Sequence, residues 1–172
     1  VGYSFNKKYS DIITLGLKDE DYYVKEAATE WTKHFYEKEA VPLIIKNSSS
    51  IDQNLRLAAV ATMGELIKGN ETTDEEKKDI EKALVKRLKD DYRYVKEVSI
   101  YILSELKDQK YFDDFVKLLK DSDSMIRGSA ITALGILNHP DTLSILEKFE
   151  ENEYDEKVLN ALKHVMNKLK KE

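Results

Sequence analysis

Five stretches of this chain place their apolar residues on one side of a helix. Val24, Leu55, Val95, Ile126 and Val158 each open such a stretch, and the pattern from each anchor runs i, i+3, i+4, i+7, i+11. It reads Val24, Ala27, Ala28, Trp31, Phe35 in the first stretch and Val95, Val98, Ser99, Ile102, Leu106 in the third. In the fourth it reads Ile126, Ser129, Ala130, Ala133, Leu137, and in the last Val158, Ala161, Leu162, Val165, Leu169. That spacing is the period of one α-helical face. The middle positions are mostly small, so a neighbouring helix can come close. The pattern predicts helices near 22–37, 52–68, 92–107, 123–138 and 154–170, with Trp31 in the core of the first.

A second helix precedes each of these. Its end is marked by the apolar pairs Ile13 and Leu17, Leu84 and Leu88, Phe115 and Leu119. Each unit is therefore a helix B, a short turn and a helix A. The acidic turns Asp19-Glu20-Asp21 and Asp121-Ser122-Asp123 double as N-caps for helix A. Thr73 with Glu76 fits a capping box.

The units repeat. "LKDEDYYVKEAATEW" at Leu17 returns as "LKDDYRYVKEVSIYIL" at Leu88 and "LKDSDSMIRGSAITALGIL" at Leu119, with weaker copies at Asn47 and Phe149. The anchors are 31, 40, 31 and 32 residues apart, and the long interval holds a polar insertion, Gly69 to Lys77. A helical hairpin of this size cannot bury its apolar face alone, but stacked neighbours can bury it. The expectation is an all-α fold, an α-solenoid of about five stacked hairpins. The repeats fall at about 7–37, 38–68, 75–107, 111–138 and 141–171, within a single domain over residues 1–172. The chain does not begin with Met, and its first B helix, about Lys7 to Lys18, lacks an A partner upstream. A piece of a longer protein is expected.

Composition narrows the function classes. There is no cysteine among the 172 residues, which excludes disulfides, thiolate nucleophiles and Cys-bound zinc and fits a reducing, cytoplasmic compartment. The net charge of −5 argues against a nucleic-acid partner. No apolar run reaches the ~20 residues that cross a bilayer. His34, His139 and His164 lack metal-binding spacing, and no nucleophile elbow or phosphate loop occurs. The Asp121 turn lacks the Gly and Glu that a calcium loop needs. Catalytic residues, cofactor and metal are each expected to be none, with no small-molecule substrate.

The stretch "LLKDSDSMIRGSAITALGIL" (Leu118 to Leu137), the apolar-basic pairs Val24-Lys25, Leu55-Arg56 and Val95-Lys96, and the endings Met63-Gly64 and Leu134-Gly135 carry a family resemblance. The chain resembles the HEAT-repeat family, in particular the short HEAT-like repeats first named from phycobilisome lyases. Departures fall at Trp31 to Phe35 and at Leu103-Ser104. The resemblance implies a scaffold or adaptor with a protein or peptide partner.

Two surfaces are candidates for that partner. Tyr22, Tyr23, Tyr92, Tyr94 and Tyr154 fall at or just before the start of helix A, out of ten tyrosines in all. Tyrosine is enriched in interfaces because it gives contact area at low entropy cost; the structural alternative is that the rings cover neighbouring turns. The second surface is the B-helix face, with Lys82, Lys86, Asp113, Lys117, Ser144 and Lys148 exposed in mixed sign. The basic ladder Lys25, Arg56, Lys96, Arg127 is expected to pair with the turn carboxylates Asp19, Asp90 and Asp121 and tie repeats together.

The function expected from sequence is a non-enzymatic protein-interaction or scaffolding module. The alternatives are an accessory or C-terminal domain of a larger enzyme, such as a lyase or zinc aminopeptidase, and then a nucleic-acid-binding HEAT protein.

Overall fold

The computed structural model describes residue 12, residues 15–32 and residues 40–171. The expected B helix over Lys7 to Lys18, and Ile13, His34 and Phe35, lie wholly or mainly outside these. Every regular element among the described residues is helical. In chain order they are α1 (Tyr22–Thr32), α2 (Ala40–Asn47), α3 (Gln53–Lys68), α4 (Asp74–Arg87), α5 (Arg93–Glu105), α6 (Phe112–Leu118), α7 (Ser124–Leu137), α8 (Thr142–Glu150) and α9 (Glu156–Leu169), with a short 3-10 turn at Gln109–Tyr111. Contacts divide the chain into two compact units, residues 1–98 and 99–172.

In the first unit, α1 packs on α3, α2 packs on α3, and α2 and α4 also meet. The core is Val41, Ile44, Leu55, Ala59, Val60, Met63, Ile80 and Leu84, all at most 3% exposed. Each buried Leu or Ile of this kind contributes on the order of 1.5–3 kcal/mol of transfer free energy. The polar insertion is tied back by Thr72, whose hydroxyl donates to the Leu66 carbonyl at 2.6 Å. Thr73 and Glu76 then form the expected capping box that starts α4.

In the second unit, α7 packs on α9 and α6 packs on α7. Phe115, Ile126, Ala130, Leu134, Leu146 and Leu162 are fully buried. Gly135 fixes the approach of α7 to α9: a Cβ there would lie 2.6 Å from Val165 Cγ1. Val165 is β-branched and has little freedom to move aside.

Four of the five expected anchors sit in the core: Leu55 at 3%, Val95 and Ile126 at 0% and Val158 at 1% exposure. The first does not. Val24 is 43% exposed and Trp31 is 55% exposed, so Trp31 is not a core residue. The buried face of α1 is instead Ala28, Thr29 and Thr32. The threonines tolerate burial because their hydroxyls donate to carbonyls four residues back, Lys25 at 2.7 Å and Ala28 at 3.0 Å.

Candidate functional site

The turns between B and A helices are built to one plan. Five residues before each anchor, a side-chain oxygen accepts the backbone N–H two residues further on. Asp19 accepts from Asp21 at 2.8 Å, Ser50 from Asp52 at 3.1 Å, Asp90 from Tyr92 at 3.0 Å, Asp121 from Asp123 at 2.9 Å and Glu153 from Asp155 at 2.9 Å. Three residues before the anchor, Asp52, Asp123 and Asp155 cap the following helix through its first N–H groups, and Asp21 accepts likewise from Tyr23 and Val24. These bonds satisfy donors that a helix start leaves unpaired.

An arginine just after the anchor ties one turn to the next. In the first unit, Arg56 donates through Nη1 to its own turn, at the carbonyls of Ser50 (3.0 Å) and Ile51 (3.1 Å). Through Nε and Nη2 it reaches Asp90, 34 residues on, at 2.8–3.1 Å. Asp91 also accepts from Arg56, and Arg87 donates to Asp90 at 3.1 Å. In the second unit, Arg127 repeats the plan. It donates to the carbonyls of Asp121 (3.0 Å) and Ser122 (3.2 Å) and pairs with Glu153, 26 residues on, at 2.6 and 3.0 Å.

Asp90 is thus one of the expected partners of the ladder. The Arg127 expectation is corrected: its carboxylate is Glu153, not Asp121 of its own turn. Sequence reasoning missed Glu153 because Glu stands there where three of the other four turns carry Asp and one carries Ser50. Its position five residues before Val158 was the available signal.

The charges follow from this geometry. Burial pushes the Asp90 carboxyl up, but the hydrogen bond from Arg56, the Tyr92 N–H and the Arg56 charge outweigh it and hold the group below its ordinary value. The Glu153 carboxyl is lowered chiefly by its hydrogen bond from Arg127. Arg56 and Arg127 are raised in turn, first by those same bonds. All four groups are ionised at neutral pH.

The tyrosines divide into two kinds. Tyr23 (75% exposed), Tyr94 (45%) and Tyr154 (88%) stand at the surface. Tyr22 and Tyr92 are half-buried and support them edge-on, with ring centroids 5.1 Å apart for Tyr22–Tyr23 and 5.3 Å for Tyr92–Tyr94. Burial and the Glu26 carboxylate beside it push the Tyr22 phenol up to about 12. Arg93 lies over the Tyr94 ring at 4.7 Å. Two turns present a large exposed side chain that is not aromatic, Ile51 in repeat two, fully exposed, and Met125 in repeat four, 45% exposed. The pattern search missed Ile51 because it looked for tyrosine rather than for any large exposed side chain.

On the B-helix face Lys82, Lys86, Asp113, Lys117, Ser144 and Lys148 are exposed as expected. Lys82 pairs with Asp79 and Lys117 with Asp114, both at 2.9 Å. His139 stacks on Phe112 at 4.0 Å. Among the described residues no group of three or more His, Cys, Asp or Glu could hold a metal ion, and no helix is long and apolar enough to cross a membrane.

A family model describing HEAT repeats matches residues 81–167. The chain is 35% identical over 72 residues to deoxyhypusine hydroxylase of Drosophila melanogaster, covering 41% of this chain and 24% of that protein. The enzyme of the same name from Drosophila pseudoobscura pseudoobscura is 32% identical over 72 residues, with the same coverage. The chain therefore spans about a quarter of the length of the curated relatives it matches. Among solved structures, a designed armadillo repeat protein in complex with the peptide (KR)4 superposes with a TM-score of 0.63 at 14% identity, covering 97% of this chain and 92% of that one. An engineered protein gives 0.61 at 18% identity, covering 92% and 79%.

These likenesses show the fold class, an all-α repeat solenoid of the armadillo and HEAT kind. They also correct the functional expectation. The relatives at 32–35% identity are enzymes by name, so the reading as a non-enzymatic module does not stand. A repeat pattern records how helices stack, and it is the same whether the stack scaffolds or catalyses.

Proposed function

Because this chain belongs to the HEAT-repeat family, we propose that it is the substrate-holding repeat segment of an enzyme of the deoxyhypusine hydroxylase kind, acting on a protein or peptide. The observation that carries this reading is the 35% identity over 72 residues to the Drosophila melanogaster enzyme. Hydroxylation needs an oxygen-activating centre. The described residues offer no cluster suited to hold a metal, so no chemical step is assigned to them and their part is recognition. The turn surfaces support that part. Tyr23 and Tyr94 in the first unit, and Tyr154 in the second, are exposed aromatics on turns already stiffened by hydrogen bonds, with Tyr22 and Tyr92 behind the first two. A rigid aromatic anchor loses little entropy on binding. The cytoplasm, suggested by the absence of cysteine, belongs to the same proposal.

The test is to incubate the whole enzyme of which this is proposed to be a segment with a peptide carrying deoxyhypusine and to follow the mass of the product. Addition of one oxygen supports the reading. No addition, under conditions where the Drosophila melanogaster enzyme turns over, contradicts it. Replacing Tyr23 and Tyr94 together by Ser should raise KM with kcat nearly unchanged, the signature of lost ground-state binding. An unchanged KM would remove the tyrosines from the site.

A further inference from the structure

In the second unit, the B helices α6 and α8 leave an open cleft of about 560 Å3. Val116 and Leu119 line it from the α6 end, and Ile145 and Phe149 line it from α8. The Arg127–Glu153 pair forms a further wall. Arg127 spends its guanidinium on Glu153 and on two turn carbonyls, so it has little left for a ligand, and Glu153 is neutralised in return. Lys120 and Lys148 also line the cleft, both exposed and without an ion pair among the described residues. They outnumber the one other carboxylate, Asp121, whose oxygen already accepts the Asp123 N–H. The uncommitted charge around this apolar floor is therefore positive, on a chain whose net charge is −5.

We infer that this cleft docks an extended peptide segment in which a bulky apolar side chain is flanked by carboxylates. The apolar walls take the side chain, whose burial stabilises by on the order of 1.5–3 kcal/mol when complete. Lys120 and Lys148 select acidic flanks and set the encounter rate. The cleft is open, so the backbone of a peptide can run through it, whereas a small ligand would leave much of its surface wet. This site is independent of the hydroxylase reading, because it is detected by binding alone.

The full chain is titrated against a fluorescein-labelled heptapeptide with one central Phe and three acidic residues on each side, followed by anisotropy. Saturable binding is expected, weakened by about tenfold in Lys120→Glu/Lys148→Glu, a change of about 1.4 kcal/mol from two exposed charges. A peptide with Lys for every acidic residue should not saturate, and one with Ala for Phe should bind more weakly. Phe149→Ala should weaken binding with the helical circular-dichroism signal intact. Equal binding of the basic peptide, full affinity in the double-lysine variant, or no saturation at millimolar peptide would each overturn the inference. So would concentration-dependent dimerisation abolished by the lysine changes, which would put a second copy of the chain in the cleft.

Discussion

Arg56 in the first unit and Arg127 in the second hold the same place in their repeats and make the same two bonds to their own turns. They differ in what they reach. Arg56 meets Asp90, whose side chain is 2% exposed, and a second guanidinium, Arg87, shares that carboxylate. Arg127 meets Glu153 alone, with 7% exposure on the acid and 16% on the arginine. The bonds to the turn carbonyls belong to the repeat and recur with it. The carboxylate comes from the following turn, and there the sequence is free to vary between Asp and Glu. A buried charge is costly to leave unpaired, so the node with two arginines on one carboxylate should be the more sensitive.

The largest effect should come from Asp90→Ala. It leaves Arg56 and Arg87 without their buried partner, and the exposed Asp91 is a weak substitute. A loss of about 3–5 kcal/mol is expected in urea unfolding. A loss no greater than that of Glu153→Ala would break the comparison. Glu153→Ala should cost less, about 1–3 kcal/mol, because it strands one arginine rather than two and Arg127, 16% exposed, has more access to water than Arg56 at 8%.

Acid should act through both nodes. The folded-state carboxyls of Asp90 and Glu153 lie below their ordinary values, so each contributes stability that is fully present above about pH 4–5. That contribution is lost as pH falls through the depressed folded values. Urea midpoints measured between neutral pH and pH 3 should fall, and Asp90→Asn should flatten part of the fall. A midpoint that rises on acidification would reverse the assigned sign.

Trp31→Ala should have the smallest effect, about 1 kcal/mol or less, since Trp31 is more than half exposed. The helical spacing alone argues for a core tryptophan and a loss several times larger. A large measured loss would restore that register.

The difference at Trp31 shows what the chain's pattern reveals. In α3, α5, α7 and α9 the anchors Leu55, Val95, Ile126 and Val158 are all buried, because there apolar character and core position coincide. In α1 they part. Thr29 and Thr32 read as polar but are buried by bonding back to carbonyls in their own helix, while Val24 and Trp31 face outward. Ser99 is buried in α5 too, on the face that the pattern does locate, whereas the buried Ser104 falls outside that pattern.

The candidate sites were legible in part. Tyr23 and Tyr94 are exposed, as their place immediately before the anchor suggests, and Tyr154 is exposed too, but Tyr22 and Tyr92 of the same group are half-buried. The cleft between α6 and α8 was not legible, because it depends on how far two helices diverge rather than on any residue type. Nor does the repeat separate enzyme from scaffold, since its recurrent residues are those that stack helices.

The most direct test of the arginine ties is a pair of double-mutant cycles, Arg56→Ala with Asp90→Ala and Arg127→Ala with Glu153→Ala, read by equilibrium unfolding. Coupling of about 2–3 kcal/mol is expected at the first pair and about 1 kcal/mol at the second, within the range for contacting charged groups. Coupling near zero at Arg56–Asp90, or a larger value at Arg127–Glu153, would contradict the claim that the shared buried carboxylate makes the first tie the stronger.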